Sequence, residues 1–160
     1  MVERKFLADE MLGSLARWLR IMGYDTSYAR DMADNDILSQ AQKEGRIILT
    51  RDRQLAERAS MDGMFIQSDD DAEQLRQVIR RYALYFDEES TRCARCNGLL
   101  SIKQRSEVES RVPPRVLERQ EEFQVCSLCG QIYWKGTHWR DIRKRIALAL
   151  DRARVDNSPR

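Results

Sequence analysis

Two Cys-x-x-Cys pairs constrain this chain more than any other feature. CARC at Cys93–Cys96 and CSLC at Cys126–Cys129 are separated by 29 residues, 97 to 125, and they hold all four cysteines of the 160-residue chain. Thiols at that spacing form the ligand set of one tetrahedral Zn²⁺. A closed shell of four thiolates leaves no position for substrate, so the expected ion is structural. Asn97-Gly98 and Gly130 supply the tight turns that each cysteine knuckle needs. VPPRV at 112–116 breaks the intervening strand pattern, which predicts a small zinc ribbon of two hairpins with a Pro-containing loop.

A ribbon accounts for residues from about 90 onward and leaves the first 89 to fold separately. That first stretch alternates. RKFLA at 4–8, YDTSY at 24–28, IILT at 47–50 and MFIQ at 64–67 are strand candidates. Leu12, Leu15, Ala16, Leu19 and Met22 recur at helical spacing up to Gly23, predicting an amphipathic helix over 11–22 with Arg17 and Arg20 off the apolar stripe. Ile37, Leu38 and Ala41, closed by Gly45, mark a second helix, and 53–60 a short third. Leu75, Val78, Ile79, Tyr82 and Phe86 mark a longer one after SDDD. Strands alternating with helices at these intervals predict an α/β fold with a parallel sheet flanked by helices. The expected organisation is an acidic sheet domain at 1–89 and a ribbon with a C-terminal basic helix at 90–160. That last helix is read from Trp139, Ile142, Ile146 and Leu150, and the tail beyond Arg154 reads as disordered.

Charge divides at the same boundary. Residues 1–89 carry 13 Lys+Arg against 18 Asp+Glu, net −5, while residues 90–160 carry 15 against 8, net +7. An acidic half suits bound cations and a basic half suits a polyanion. No segment approaches the roughly 20 apolar residues of a membrane span. A soluble, cytoplasmic protein with no membrane partner is expected, and its oligomeric state is not legible.

The acids gather where a parallel sheet places its ligands. In open α/β sheets the crevice lies at the carboxyl ends of the strands. Asp9 follows the first strand and Asp52 the third. Asp36 lies in the loop or first helical turn between strands two and three, with Asp31 and Asp34 nearby, and Asp69 follows the fourth strand. Such a cluster repels itself unless cations lie between the carboxylates or one is protonated. Hard oxygen donors without histidine favour Mg²⁺ or Mn²⁺. Each of these aspartates also stands where an N-cap would, so capping competes with metal binding for every one of them. Thr50 either bonds a metal-bound water or merely ends the strand.

The stretches FLADEMLGSLARWLRIMGYDT, DILSQAQKEGRIILTRDRQL, CARCNGLL and CSLCGQIYWKGTHW together resemble the PIN-like RNase family known as the mutator-seven C-terminal domain, from Phe6 to about His138. The resemblance implies a metal-dependent ribonuclease that hydrolyses RNA phosphodiesters. By position it implies Asp9, Asp36 and Asp52 as the catalytic acids that hold Mg²⁺ or Mn²⁺, with Asp31 or Asp69 as candidates for a fourth. Arg17 and Arg51 are candidate phosphate donors beside those acids. Lys135, Arg140, Arg143, Lys144 and Arg145, interleaved with Tyr133, Trp134 and Trp139, are candidate contacts to single-stranded or structured RNA, although helical spacing favours a core role for Trp139. A non-catalytic RNA-binding or adaptor protein that retains the fold is the alternative. Carboxylates beside a polyanion oppose binding unless cations neutralise them, which favours the nuclease.

Overall fold

The computed structural model describes residues 3–155; the segment 156–160, most of the tail that reads as disordered, lies outside them. Strands β1 (Phe6–Asp9), β2 (Thr26–Ala29), β3 (Ile47–Thr50) and β4 (Gly63–Phe65) form a parallel sheet in the order β2-β1-β3-β4. Side chains alternate across a strand, so central strands must be apolar at every position to serve two covered faces. Phe6, Ala8 and Leu49 face one core, together with helices α1 (Gly13–Ile21) and α4 (Asp71–Tyr82). Leu7 and Ile48 face the other, against α2 (Asp34–Glu44) and α3 (Arg53–Ala59). Each buried Leu, Ile or Phe stabilises the sandwich by about 1.5–3 kcal/mol relative to exposure.

The chain runs from β1 through α1 to β2 on one side, and then through α2 over β1 to β3 on the other. The carboxyl ends of β1 and β3, paired through Ala8 and Leu49, therefore flank the topological switch point.

Helix α4 is shorter than its apolar spacing predicts. Ala83 takes a left-handed conformation with φ 51°, which ends the helix at Tyr82 and frees Phe86 from it. The turn lets Leu84 enter the first core, and this burial offsets the roughly 1–2 kcal/mol cost of a left-handed alanine.

The ribbon region also departs from the expected two hairpins. Strands β5 (Leu100–Gln104), β6 (Glu122–Cys126) and β7 (Ile132–Tyr133) form one antiparallel sheet in the order β5-β6-β7, and the first hairpin is reduced to a single bridge between Arg92 and Leu99. The stretch between β5 and β6 carries two short helices, α5 (Arg105–Val108) and α6 (Pro114–Arg119), in place of a loop. Pro114 starts a helix without cost because its missing N–H falls where no intrahelical partner exists. Val108, Val112, Phe123 and Ile132 close a small core beneath them.

Helix α7 (Thr137–Val155) returns from the ribbon and packs on the sheet domain. Ile146, Ala149 and Ala153 enter the first core with α1 and α4. Its first turns lie against the segment after α4, with the Trp139 and Phe86 rings 6.3 Å apart. Among the described residues, no helix is long and apolar enough to cross a membrane.

Candidate functional site

The four cysteines converge. Their sulfurs lie within 4.8 Å of one another, with Cys93 and Cys129 at 3.7 Å and Cys96 and Cys126 at 3.4 Å. A Zn–S bond of about 2.3 Å in a tetrahedron places sulfurs about 3.8 Å apart, so the group fits Zn²⁺. The Leu128 and Cys129 N–H groups donate to the Cys126 sulfur at 3.4 and 3.5 Å. A side chain at Gly98 would come within 2.6 Å of that sulfur, which explains the glycine. Without a cation the thiols cannot all ionise together. Burial pushes Cys96 up to about 12; burial also raises Cys126, but the N–H groups of Cys129 and Leu128 and the neighbouring thiols bring it to about 6. A divalent cation removes this competition by holding all four as thiolates.

The first knuckle is anchored to the amino edge of the parallel sheet. Asn97, held at φ 72° between Cys96 and Gly98, accepts from the Thr26 N–H at 3.0 Å and donates to Asp25 at 2.7 Å. Asp25 also pairs with Arg46 at 2.8 Å and Arg92 at 3.7 Å. Burial alone would raise the Asp25 pKa, but hydrogen bonds from Arg46 and Asn97 and the charges of Arg46 and Arg92 lower it overall. Arg20, which falls off the apolar stripe of α1, is only 7% exposed and donates to the carbonyls of Thr26, Ala94 and Arg95 at 2.9, 3.1 and 3.3 Å. Its position off the apolar stripe marks the face that meets the knuckle.

The acids lie at the opposite edge. Thr50, fully buried, donates its hydroxyl to Asp9 Oδ2 at 2.9 Å and accepts the Asp52 N–H at 2.9 Å, linking the ends of β1 and β3 across the switch point. Asp9 Oδ1 accepts the Glu10 N–H at 2.7 Å. Asp52 caps α3 by accepting the Gln54 and Leu55 N–H groups at 2.9 and 3.2 Å, all on Oδ1. Asp36 stands exposed in the first turn of α2. Among the described residues, only the cysteines form a group of three or more potential metal-ligating side chains within 4.8 Å of one another; Asp9, Asp36 and Asp52 do not form such a group.

The remaining sequence candidates divide. Asp31 lies exposed past β2 with φ 54°, and Asp69 is exposed beside Asp70, the residue that caps α4 through the Glu73 N–H. Arg51 reaches the Gln67 carbonyl at 3.5 Å and leaves a buried Nε without a partner. Lys135 and Arg143 both pair with Glu88, at 3.3 and 2.6 Å, and Lys135 lies over the Trp139 ring at 5.8 Å. Lys144 is exposed on the other face of α7.

Arg17 and Arg145 meet across a cleft of about 670 Å³ between α1, α4 and α7, whose lining includes Trp18, Asp71, Leu148 and Arg152. At its carboxyl-edge end Ser14 donates to Asp71 at 2.8 Å. Arg152 was missed by sequence reasoning although it lies seven residues, two helical turns, beyond Arg145. Thr50's bridging role had no sequence signal beyond the residue's place at the end of β3.

The model of the Mut7-C RNAse domain matches residues 4–146. No curated protein and no solved structure matches the chain.

Proposed function

The chain belongs to the Mut7-C RNAse domain family, and we propose that it acts within that family as a divalent-metal-dependent ribonuclease hydrolysing RNA phosphodiester bonds. The observation that carries this reading is the Asp9–Thr50–Asp52 link across the switch point, which ties the Asp9 carboxylate to the backbone of Asp52 at adjacent central strand ends, where the Asp52 carboxylate is held by its cap. Groups on strand ends held by second contacts are pre-organised for chemistry.

The donor set fits Mg²⁺ or Mn²⁺. Asp9, Asp36 and Asp52 offer only hard oxygens, and Asp52 spends just one oxygen on its cap, leaving Oδ2 open. Asp9, Asp36 and Asp52 would hold the cation, which would supply electrostatic stabilisation to the charge that develops on the phosphoryl oxygens. Thr50 holds Asp9 in register, and Arg17 binds a flanking phosphate. Arg51 is a further phosphate donor if its guanidinium turns from Gln67. The ribbon and the basic second half hold RNA, with the Cys₄ zinc as a structural ion.

The non-catalytic RNA-binding reading has one observation in its favour: Asp9 and Asp52 already cap local backbone. Incubating the full chain with labelled RNA, with and without Mg²⁺ or Mn²⁺, separates the two. Metal-dependent cleavage lost in Asp52→Asn supports the nuclease, and RNA binding without cleavage supports the adaptor.

A further inference from the structure

We infer that the cleft between α1, α4 and α7 is a track for single-stranded RNA that leads the strand to the carboxyl edge of the sheet. The inference rests on the reading that RNA is the substrate and adds where and in what form it is held.

Three observations point to this occupant. The cationic walls come from opposite ends of the sequence, with Arg17 on α1 and Arg145 and Arg152 on α7, all exposed into about 670 Å³ of open cleft. Two helices presenting guanidinium groups across one channel suit a chain of phosphates, and guanidinium forks bind phosphate oxygens in pairs. Trp18 lies half-buried in the same lining and Leu148 is 52% exposed on the facing wall. Trp18 packs partly against the first core, and the part of it left in the cleft beside Arg17 offers unpaired bases a stacking surface without sequence preference. A cleft of this size falls in the range that encloses small ligands, about 300–1,000 Å³, which admits a few nucleotides of single strand and no duplex.

Direction follows from how α7 lies. Its first turns sit beside Phe86 and Glu88, past the end of α4, while Arg152 shares the cleft with Asp71 in the first turn of α4. Helix α4 begins after β4, so its first turn lies at the carboxyl edge. The channel therefore runs from the ribbon junction to the edge that holds Asp9 and Asp52. The acids along it do not close it. Asp71 is held by the Ser14 hydroxyl and Asp70 by the α4 cap; both keep their charge, but they gather at the first turn of α4, and only Asp141 stands on α7 itself with Arg145 and Arg152.

The test measures binding of a fluorescein-labelled oligouridylate to the full zinc-loaded chain by anisotropy, without added divalent cation, over a series of salt concentrations. Arg145→Gln/Arg152→Gln removes two cleft charges, and Lys43→Gln/Arg81→Gln removes two exposed charges of the sheet domain away from the cleft, at the ends of α2 and α4. The cleft variant is expected to bind roughly tenfold or more weakly, with the log–log salt slope reduced by about 1.4 for two lost contacts, and the control to match wild type. Matching zinc content and circular dichroism in both variants confirm that neither loses its fold. A cleft variant with the wild-type slope, or equal weakening in both variants, overturns the track. Binding through the cleft with no cleavage in any metal overturns the nuclease reading and leaves the track standing.

Discussion

Thr50→Val isolates the link that joins the two strand ends. Valine has nearly the same shape, so the buried site at the end of β3 is not emptied. It removes the donor to Asp9 Oδ2 and the acceptor for the Asp52 N–H, both at 2.9 Å. A hydrogen bond to a charged group contributes about 1.5–3 kcal/mol, and an N–H left unsatisfied costs about 1–3 kcal/mol. The expected loss is about 3 kcal/mol, allowing for partial relaxation and water access at the Asp52 N–H. In a chain of this size it lowers the melting temperature by roughly 6–12 °C. Asp9 keeps one anchor, the Glu10 N–H, and can swing. A displacement of about 1 Å costs up to about 100-fold in rate, or about 2.7 kcal/mol. Urea melts give the first quantity and metal-dependent cleavage, at a temperature where both proteins are folded, gives the second. Thr50→Ser retains the hydroxyl and is expected to recover most of both, short of about 1 kcal/mol for the lost methyl. A Val variant within 1 kcal/mol of wild type, or a Ser variant as impaired as Val, would refute the assignment of Thr50 as a positioning residue.

Asp52→Asn separates capping from catalysis, because Asn caps helices as well as Asp: stability is expected to hold within about 0.5 kcal/mol while metal-dependent cleavage falls at least about 100-fold. Unchanged cleavage shows that Asp52 is only a cap. Cys93→Ser, or strong chelation of the wild type, is expected to release the metal and expose the amides of 93–133 to rapid hydrogen exchange, since structural zinc contributes about 10–16 kcal/mol of apparent binding free energy; metal analysis that finds no zinc in the intact chain removes the basis for this. Asp25→Asn tests the knuckle anchor through pH. The Asp25 pKa is lowered in the folded chain, so its contribution is fully present above the ordinary value of 3.8 and is lost as pH falls through the lower folded value. Urea melts are expected to show wild type more stable than the variant at pH 7, with the gap narrowing in strong acid, and a gap that does not change with pH sinks the idea.

The sheet was legible because its physics is local. IILT at 47–50 is a strand in sequence and in structure with the same bounds, since three apolar residues and a β-branched threonine between Gly45-Arg46 and Arg51-Asp52 are too short a run for a helix and suit a buried strand. The Cys-x-x-Cys spacing likewise carried the sulfur cluster. Other features depend on contacts that no spacing encodes. Phe86 continues the apolar period of α4, yet Ala83 turns the chain away because Leu84 gains a buried position. Arg20 lies off the apolar stripe of α1, and the knuckle that accepts its hydrogen bonds comes from 74 and 75 residues away. The basic run at 143–145 looked like one patch, but a helix separates neighbours by about 100°, so Arg143 pairs with Glu88, Lys144 faces outward and Arg145 enters the cleft.

The same geometry joins the two halves whose charges differ so sharply. The zinc knuckle is bound at the amino edge through Asp25, Asn97 and Arg20, while the acids stand at the carboxyl edge, so the ribbon does not reach across the sheet to the acids through these contacts. Helix α7 bridges that distance. Nineteen residues at about 1.5 Å each span about 28 Å. Glu88 pins its start through Lys135 and Arg143, and Ile146, Ala149 and Ala153 bind its length to the core beside α1 and α4. Removing residues after 89 would therefore open the first core as well as delete the ribbon. It would also take away one wall of the cleft beside Arg17. Basic surface and sheet domain are coupled through the packing of α7 on the first core, so a change that frees α7 should open the cleft beside Arg17 and lower sheet stability together, which urea melts of variant and wild type would show.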